Sequence, residues 1–251
     1  MAVPVRSHLG IHHHWVPARP GPARLKLSRL VGLGGLVAYN WWVITPFLPG
    51  WLPSPNPLFS DMAATGQPHA LVMQRLDLAA GLLLLTALLL RGPIGRTGSR
   101  PEWKWLVAFA AMAAVEGRYP FACASGLDQA CRTQERHLQL PAQHYVHMLA
   151  GIGEFAAITL ALWIAYRRTR TDHSSQAALF RLLTATMVIA YPLLAVAYFG
   201  DRWGTIVEPM FFIVFSTLIA CTLFEPVGPG PVDIDLRSDR AATPTSRLEQ
   251  P

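Results

Sequence analysis

Charged residues are scarce in this chain. Only 14% of its 251 residues are Asp, Glu, Lys or Arg, against roughly 25% in a typical soluble domain. Hydrophobic residues make up 52% of the sequence. They gather into runs of about 20, the length that a helix needs to cross the hydrocarbon core of a bilayer. Because backbone groups in lipid must bond to one another, such runs fold as helices. The composition excludes an ordinary soluble domain and predicts an all-α, multi-pass membrane protein.

Several common chemical signatures are also missing. The sequence contains no Walker loop, no Gly-rich dinucleotide fingerprint, no G-x-S-x-G elbow and no H-E-x-x-H zinc protease motif. The sequence also shows no internal repeat, so nothing in it suggests the inverted halves of a secondary transporter. The formal net charge of +6 comes from basic residues on separate loops, so nucleic acid is not an expected partner. The expected partner is the lipid bilayer, whose anionic inner leaflet attracts these residues. Catalytic residues therefore cannot be assigned by motif, and the sequence leaves open whether the protein is an enzyme.

The apolar runs predict a polytopic helical bundle with about six spans. We place them near residues 30–48, 70–90, 103–123, 144–166, 181–199 and 205–224. The evidence is weakest for the third span, because its purely apolar run is short. This segment crosses the membrane only if Glu116 and Arg118 enter the membrane with it.

The basic residues predict the orientation of these spans. Most of the 21 Lys and Arg residues lie before the first span, after the second, after the fourth and after the last. The positive-inside rule assigns such segments to the cytoplasm. We therefore expect both termini in the cytoplasm and the protein in the cell (plasma or inner) membrane. Residues 1–28 and 226–251 are predicted to be disordered cytoplasmic tails on either side of a transmembrane domain at 29–225.

Two of the three cysteines are predicted to form a disulfide bond. Cys123 and Cys131 lie on the predicted outer side of the membrane, where disulfides persist. A pair of zinc thiolates is the alternative, but zinc sites usually use closer pairs such as C-x2-C. A bridge between them would fix the end of the third span relative to the start of the fourth.

The start of the fourth span carries a line of polar residues. His144 and His147 are three residues apart and share one helix face. The same stripe reaches Glu154, about 9 Å below the interface at 1.5 Å per helical residue. Asp77 in the second span and Glu116 in the third are predicted at a similar depth. Because a charge in hydrocarbon costs at least about 2.5–3.5 kcal/mol, these side chains must face one another or water.

Three interpretations of this polar group stay open. In the first, the acids pair with Arg75 and Arg118 and only stabilise the bundle. In the second, His144 and His147 bind a metal, zinc being the candidate, and with an acid they hydrolyse a lipid amide or ester. In the third, an outward-facing cavity binds a small ligand, a lipid head group or an ion. Its predicted ligand-binding residues are Asp77, Glu116, Glu154, Arg75 and Arg118.

Two further polar residues are expected in supporting positions. Glu208, near the start of the sixth span, is expected at the rim of this cavity. Asn40 in the first span is expected to hydrogen-bond a neighbouring helix, with lining of the cavity as the alternative.

Three stretches of the chain resemble the successive motifs of a known family. They are "FSDMAATGQPHALVMQRLDLAAG", "FACASGLDQAC" and "HYVHMLAGIGEF". They resemble the bacterial and archaeal membrane proteins grouped as domain-of-unknown-function family 998, over about residues 30–224. The resemblance implies a six-helix-type bundle with outward polar residues and supplies no activity. A more distant resemblance is to the alkaline-ceramidase-like membrane hydrolases, which use intramembrane Ser, Asp and His residues around zinc. This chain lacks their H-x3-H pair and seventh span, which weakens that comparison considerably.

Overall fold

The computed structural model describes residues 20–47, 58–95, 98–171, 174–200 and 204–227. Helices make up most of these segments. One short hairpin is present among them, in which Ile94–Gly95 (β1) pairs antiparallel with Gly98–Ser99 (β2). A seven-residue 3₁₀ helix, Trp41–Phe47, follows the first α-helix. The α-helices are α1 Pro22–Tyr39, α2 Phe59–Met62, α3 Ala70–Arg91, α4 Trp103–Arg118, α5 Gln129–Arg136, α6 Ala142–Thr169, α7 Ser175–Gly200 and α8 Gly204–Phe224.

Four of these helices are long and apolar enough to cross a membrane, namely α3, α6, α7 and α8. An all-helical membrane bundle is therefore confirmed at that level. Helices α1 and α4 have 18 and 16 residues, about 27 and 24 Å at 1.5 Å per residue. The count of six spans and the side on which the termini lie stay predictions. The predicted tails fall largely outside the described residues, although α1 begins at Pro22, ahead of the predicted boundary.

Six helices form a closed ring in chain order. Helix α1 packs on α3, α3 on α4, α4 on α6, α6 on α7, α7 on α8, and α8 returns to α1. Aromatic side chains fill the middle of this ring: the Phe109 ring lies 5.5 Å from that of Phe215, and Phe155 lies 4.9 Å from Phe211. Packing is closest among α1, α3, α4 and α6 and looser where α7 joins its neighbours.

Helices α3 and α4 touch backbone to backbone. A Cβ atom at Gly81 would overlap the backbone nitrogen of Ala114, and one at Gly117 would overlap that of Leu78. Only glycine fits at either position, and small residues of this kind allow close helix packing in membranes. The contact sets Asp77, next to Leu78, across from Glu116, next to Gly117.

The two ends of the bundle differ, and we name them by what they carry. The cap end carries α5, which the disulfide between Cys123 and Cys131 closes into a short loop with a Cα–Cα distance of 6.0 Å. The predicted disulfide is thus confirmed, and Cys221 is a free cysteine. The hairpin end carries β1 and β2.

Buried ion pairs hold the hairpin end together. Arg100, after β2, pairs with Glu225, after α8, and Arg168 of α6 lies 2.9 Å from Glu102, just before α4. Arg91, the last residue of α3, donates to the backbone oxygens of Ile94 and Glu225 at 2.6 and 3.0 Å. Burial lowers the pKa of Arg100 to about 10, which leaves it charged at neutral pH.

Candidate ligand-binding site

An acid-lined cavity lies inside the ring toward the cap end. Its volume is about 50 Å³, room for a few water molecules. Four carboxyl side chains line it, one each from α3, α4, α6 and α8: Asp77, Glu116, Glu154 and Glu208. The polar remainder of the wall is Tyr39, Trp41, Ser60 and His147. We call this space the acid cavity.

A row of hydrogen-bonding groups crosses the acid cavity. The Tyr39 hydroxyl donates to Glu154 Oε1 at 2.9 Å, and the Glu154 carboxyl lies within hydrogen-bonding reach of Glu116. Glu116 Oε1 in turn lies 3.1 Å from His147 Nε2. On the far side of its ring, His147 Nδ1 lies 3.1 and 3.0 Å from the backbone oxygens of Glu116 and Tyr119.

The chemistry of these partners shows where protons are needed. A carbonyl oxygen only accepts, so His147 Nδ1 carries a hydrogen. His147 Nε2 lies at ion-pair distance from Glu116 without the geometry of a hydrogen bond, so this contact does not fix a proton. The contact between the two carboxyls does require a proton between them. The row therefore holds a proton that a bound cation can replace.

Each of the other two acids also accepts a hydrogen bond. The Trp41 indole nitrogen donates to Asp77 Oδ1 at 2.5 Å, and the backbone nitrogen of Phe59 donates to Glu208 Oε2. Trp41 belongs to the 3₁₀ helix and Phe59 opens α2, so the segments beyond α1 supply both donors. Glu208 and Glu154 are only 7% and 4% exposed.

An apolar groove continues from the acid cavity between α6 and α7. Its volume is about 590 Å³, within the 300–1,000 Å³ typical of small-molecule sites. Cavity and groove share lining residues, namely Ser60, Glu116, His147, Phe155 and Glu208. The walls are otherwise mostly apolar: Met148, Ile152 and Ala156 of α6, and Tyr191, Leu194, Ala195, Tyr198 and Phe199 of α7. We call it the lateral groove.

Gly151 lies where the acid cavity meets the lateral groove. A Cβ atom at this position would come within 3.3 Å of Glu116 Oε1, which is tighter than ordinary van der Waals contact. The missing side chain therefore leaves Glu116, 23% exposed, accessible from the groove.

Polar contacts hold α5 and its disulfide loop, which we call the cap, beside the lateral groove. Glu135 of α5 accepts hydrogen bonds from the Tyr198 hydroxyl at 2.9 Å and from His144 Nε2 at 3.0 Å. His144 Nδ1 accepts from the Ala122 backbone nitrogen at 3.3 Å, so this ring is the Nε2–H tautomer with both nitrogens in use. Burial acts to raise the pKa of Glu135, but the hydrogen bonds from His144, Ser125 and Tyr198 outweigh it and lower the pKa below its usual range.

Asp61 ties α2 to the same cap. Its two carboxylate oxygens accept from the backbone nitrogens of Gly126 and Leu58 at 2.9 and 3.2 Å. Burial raises the pKa of Asp61, and those two hydrogen bonds oppose the shift. A Cβ atom at Gly126 would overlap Asp61 Oδ2, so only glycine allows this contact.

The structure brings together part of the predicted site. Asp77, Glu116, Glu154 and His147 all line the acid cavity, as expected from their common depth. Arg75 and Arg118, predicted to belong with the acids, line a different pocket on the other side of the α3–α4 contact.

The two histidines proposed as metal ligands do not share a partner. His144 contacts Glu135, whereas His147 contacts Glu116. Within the described residues, no group of three or more His, Cys, Asp or Glu side chains is placed to hold a metal ion. Zinc binding stays a prediction, and this geometry lends it no support.

Sequence reasoning missed part of the polar wall of the acid cavity. Tyr39, Trp41 and Ser60 line it, but no local pattern marked them. Tyr39 and Trp41 flank Asn40 within the first predicted span, and Ser60 lies beyond that span. Glu208 was expected only at the rim, yet it interrupts the apolar sequence of α8 and lines the cavity. A carboxylate inside an otherwise apolar helix is itself a signal of a site, and it could have placed Glu208.

Comparison with known proteins gives one family match. No curated protein and no solved structure matches the chain. The model of a family described as "Protein of unknown function (DUF998)" matches residues 33–225, which include the acid cavity and the cap. The chain therefore belongs to this family, as the sequence motifs predicted.

Proposed function

We propose that this membrane protein binds an amphipathic ligand whose apolar body lies in the lateral groove and whose positively charged head group lies in the acid cavity. The observation that carries the proposal is the continuity of the two spaces. They share five lining residues, among them Glu116 and His147. A space that is apolar along its length and acidic at one end complements a molecule with the same division.

The charge balance of the acid cavity favours a cationic head group. Four carboxyl groups line it, and in the part of the chain that the structure describes no Arg or Lys lines the cavity or the groove. His147 is the only basic side chain among the described residues of these walls, and it already faces Glu116. An amine that enters can form charge-assisted hydrogen bonds with several carboxylates and replace the proton that otherwise bridges Glu116 and Glu154.

The position of the groove favours entry from the bilayer. It lies between α6 and α7, both long and apolar enough to span a membrane, and nearby side chains such as Phe199 are 77% exposed. An amphipath dissolved in the leaflet can move sideways between these helices without passing through water. With both termini in the cytoplasm, the cap end faces outward, and the ligand comes from the outer leaflet of the cell membrane.

Binding of matched amphipaths tests this proposal. Thermal unfolding of the full chain in lipid nanodiscs is followed with dodecylamine, dodecanol or dodecanoate, which differ only in the head group. We expect dodecylamine to raise the unfolding temperature in a saturable manner, because a ligand that binds the folded state stabilises it, and dodecanoate to have no such effect. Equal stabilisation by all three would contradict a cation-selective site.

Two conservative variants locate the effect. Glu116→Gln and Asp77→Asn keep the shape of the side chain and remove the charge, so we expect at least about tenfold weaker dodecylamine binding in each. Asp128→Asn is the matched control. Asp128 is an exposed N-cap of α5 whose side chain accepts from the Ala130 nitrogen, and Asn caps a helix as well as Asp does. Unchanged binding in both site variants would refute the assignment of the head group to this cavity.

A further inference from the structure

We propose a second site, which binds the phosphate head group of an anionic lipid in the cap-end leaflet, in the pocket that Arg75 and Arg118 line. This pocket has a volume of about 430 Å³ and lies on the opposite side of the α3–α4 contact from the acid cavity. The remainder of its wall is Leu71, Gln74, Leu78, Gly117, Tyr119, Pro120 and Gln143. We call it the arginine pocket.

The charge of the arginine pocket is of one sign. Arg75 comes from α3 and Arg118 from the last turn of α4, and no Asp or Glu is among the described residues that line it. The ion pairs that the structure shows among the described residues involve neither arginine. Arg118 lies over the ring of Tyr119 at 5.5 Å, a cation–π contact that limits the directions the guanidinium can take.

Neutral groups around the arginines also suit a phosphate. Gln143 stands in the first turn of α6, and the N-terminal end of a long helix carries partial positive charge. The Gln74 amide, whose nitrogen donates to the Ala63 carbonyl oxygen at 2.8 Å, lies beside Arg75. Two guanidinium groups can each make paired hydrogen bonds to phosphate oxygens, a geometry that arginine supports better than lysine.

The pocket is closed off from the acid cavity. Gly81 and Gly117 bring the α3 and α4 backbones into direct contact, which leaves no passage between the helices. Gly117 lines the arginine pocket while its neighbour Glu116 lines the acid cavity. The two pockets therefore take ligands of opposite charge on opposite sides of one helix pair.

A lipid fits the arginine pocket better than a free anion does. Leu71, 58% exposed, and the neighbouring Val72, 53% exposed, put apolar surface beside the arginines on a helix that is apolar enough to span a membrane. Exposed arginines bind a free anion weakly, because water screens the charge. A lipid places its phosphate at the interface and its acyl chains along the apolar surface of α3 at the same time.

Lipid binding to the full chain tests the proposal. The protein in a neutral detergent is titrated with phosphatidylglycerol, phosphatidylcholine or inorganic phosphate, and native mass spectrometry measures the bound fraction. We expect phosphatidylglycerol to bind more tightly than phosphatidylcholine, and millimolar phosphate not to displace it. Equal binding of the two lipids, or displacement by inorganic phosphate, would overturn the assignment to an anionic lipid.

Matched variants place the lipid at the arginines. Arg75→Gln/Arg118→Gln is expected to bind phosphatidylglycerol at least about tenfold more weakly, since it removes two charge-assisted contacts. Arg136→Gln removes one charge from the exposed last turn of α5, also at the cap end, and is expected to leave binding unchanged. Arg75→Lys/Arg118→Lys keeps the charge and is expected to recover part of the affinity. Undiminished lipid binding in a Gln double variant that keeps its helical circular dichroism spectrum would refute the site.

Discussion

Buried charges gather at both ends of the bundle, and the two groups are built differently. At the hairpin end, Glu102 meets Arg168 and Glu225 meets Arg100. In the acid cavity near the cap end, Glu116 and Glu154 contact each other, a histidine and a tyrosine. Pairing with arginine neutralises the first group within the protein. The second group keeps an excess of acid beside an open space, which is what a cationic ligand requires.

This difference separates two explanations that the sequence left open. Ion pairing that only stabilises the bundle is realised at the hairpin end, among residues that no sequence motif marks as a site. The two arginines expected to pair with the acids, Arg75 and Arg118, lie across the α3–α4 contact in another pocket. The acids of the cavity therefore do not have the partners that the structural explanation gave them.

The largest expected effect is a loss of stability when a buried ion pair at the hairpin end is broken. Glu102→Ala leaves Arg168 without its carboxylate in a largely buried setting, and Glu102 itself is 1% exposed. We expect a loss of about 3 kcal/mol in the free energy of unfolding, the low end for a broken buried pair, since Arg168 is 24% exposed. Reversible unfolding in mixed micelles measures it.

The counterpart in the acid cavity is Glu154→Gln. A Gln side chain can still accept from Tyr39 and donate to Glu116, so we expect less than about 1 kcal/mol of change in the free energy of unfolding. The same variant should lose dodecylamine binding. A destabilisation as large as that of Glu102→Ala would mean that the acid cavity, too, is mainly structural.

A pair of glycine substitutions sharpens the role of the lateral groove. A Cβ at Gly151 would meet Glu116 at 3.3 Å, and one at Gly153 would meet the flexible side chain of Met112 at the same distance. Both changes replace Gly by Ala in α6 and gain similar helix propensity, up to about 1 kcal/mol. Only Gly151→Ala narrows the access to Glu116, so we expect dodecylamine binding to weaken several-fold in that variant alone.

The measurement is the thermal titration with dodecylamine, made on both variants. Equal losses of binding in Gly151→Ala and Gly153→Ala would show a general effect on α6. No loss in either would contradict access to Glu116 from the groove.

Acid should loosen the cap through Glu135. The folded protein lowers the pKa of this carboxyl, so its contribution to stability is present above the unfolded value of about 4.3. The contribution disappears as the pH falls from there through the folded value. Glu135→Gln should therefore show a smaller loss of stability than the wild type over that acid range, by less than about 1 kcal/mol because the group is partly exposed. Identical pH profiles would contradict the effect.

Metal content gives the smallest expected signal. The zinc hypothesis requires about one metal ion per chain, lost in His144→Ala/His147→Ala. We expect no such difference, because the two rings face different carboxylates. Mass spectrometry on protein without a poly-His tag measures it, with a variant lacking residues 1–19, which removes the sequence's own run of three histidines and leaves α1 intact. Stoichiometric zinc that follows His144 and His147 would restore the hydrolase alternative.

The sequence was informative where position along a helix determines position in space. Helical rise alone put Asp77, Glu116 and Glu154 at one depth, and the structure places all of them on one cavity. The spacing and predicted location of Cys123 and Cys131 indicated their disulfide. Asn40 was expected to link helices, and it donates to Ser216 of α8 at 2.8 Å.

The sequence was uninformative where the rotation of a helix about its axis decides the outcome. Arg75 is two residues from Asp77 and Arg118 two from Glu116, yet each pair divides between two pockets. That division follows from the Gly81 and Gly117 contacts, which set how α3 and α4 face each other. His144 was grouped with His147 by helical spacing, but α5 folds back and supplies Glu135 as its partner. The lateral groove needs the relative placement of α6 and α7, which no local pattern encodes.

The most direct test of the central claim is covalent mapping of a bound amphipath. A long-chain primary amine with a photoreactive group in its tail is incorporated into nanodiscs with the full chain, and labelled peptides are identified after irradiation. We predict labelling of the groove walls on α6 and α7, around Ile152 and Leu194, that excess dodecylamine and Glu116→Gln suppress and dodecanoate does not. Labelling spread evenly over lipid-exposed surfaces such as Leu30 and Val37 of α1, and insensitive to Glu116→Gln, would contradict binding of a cationic amphipath in the lateral groove.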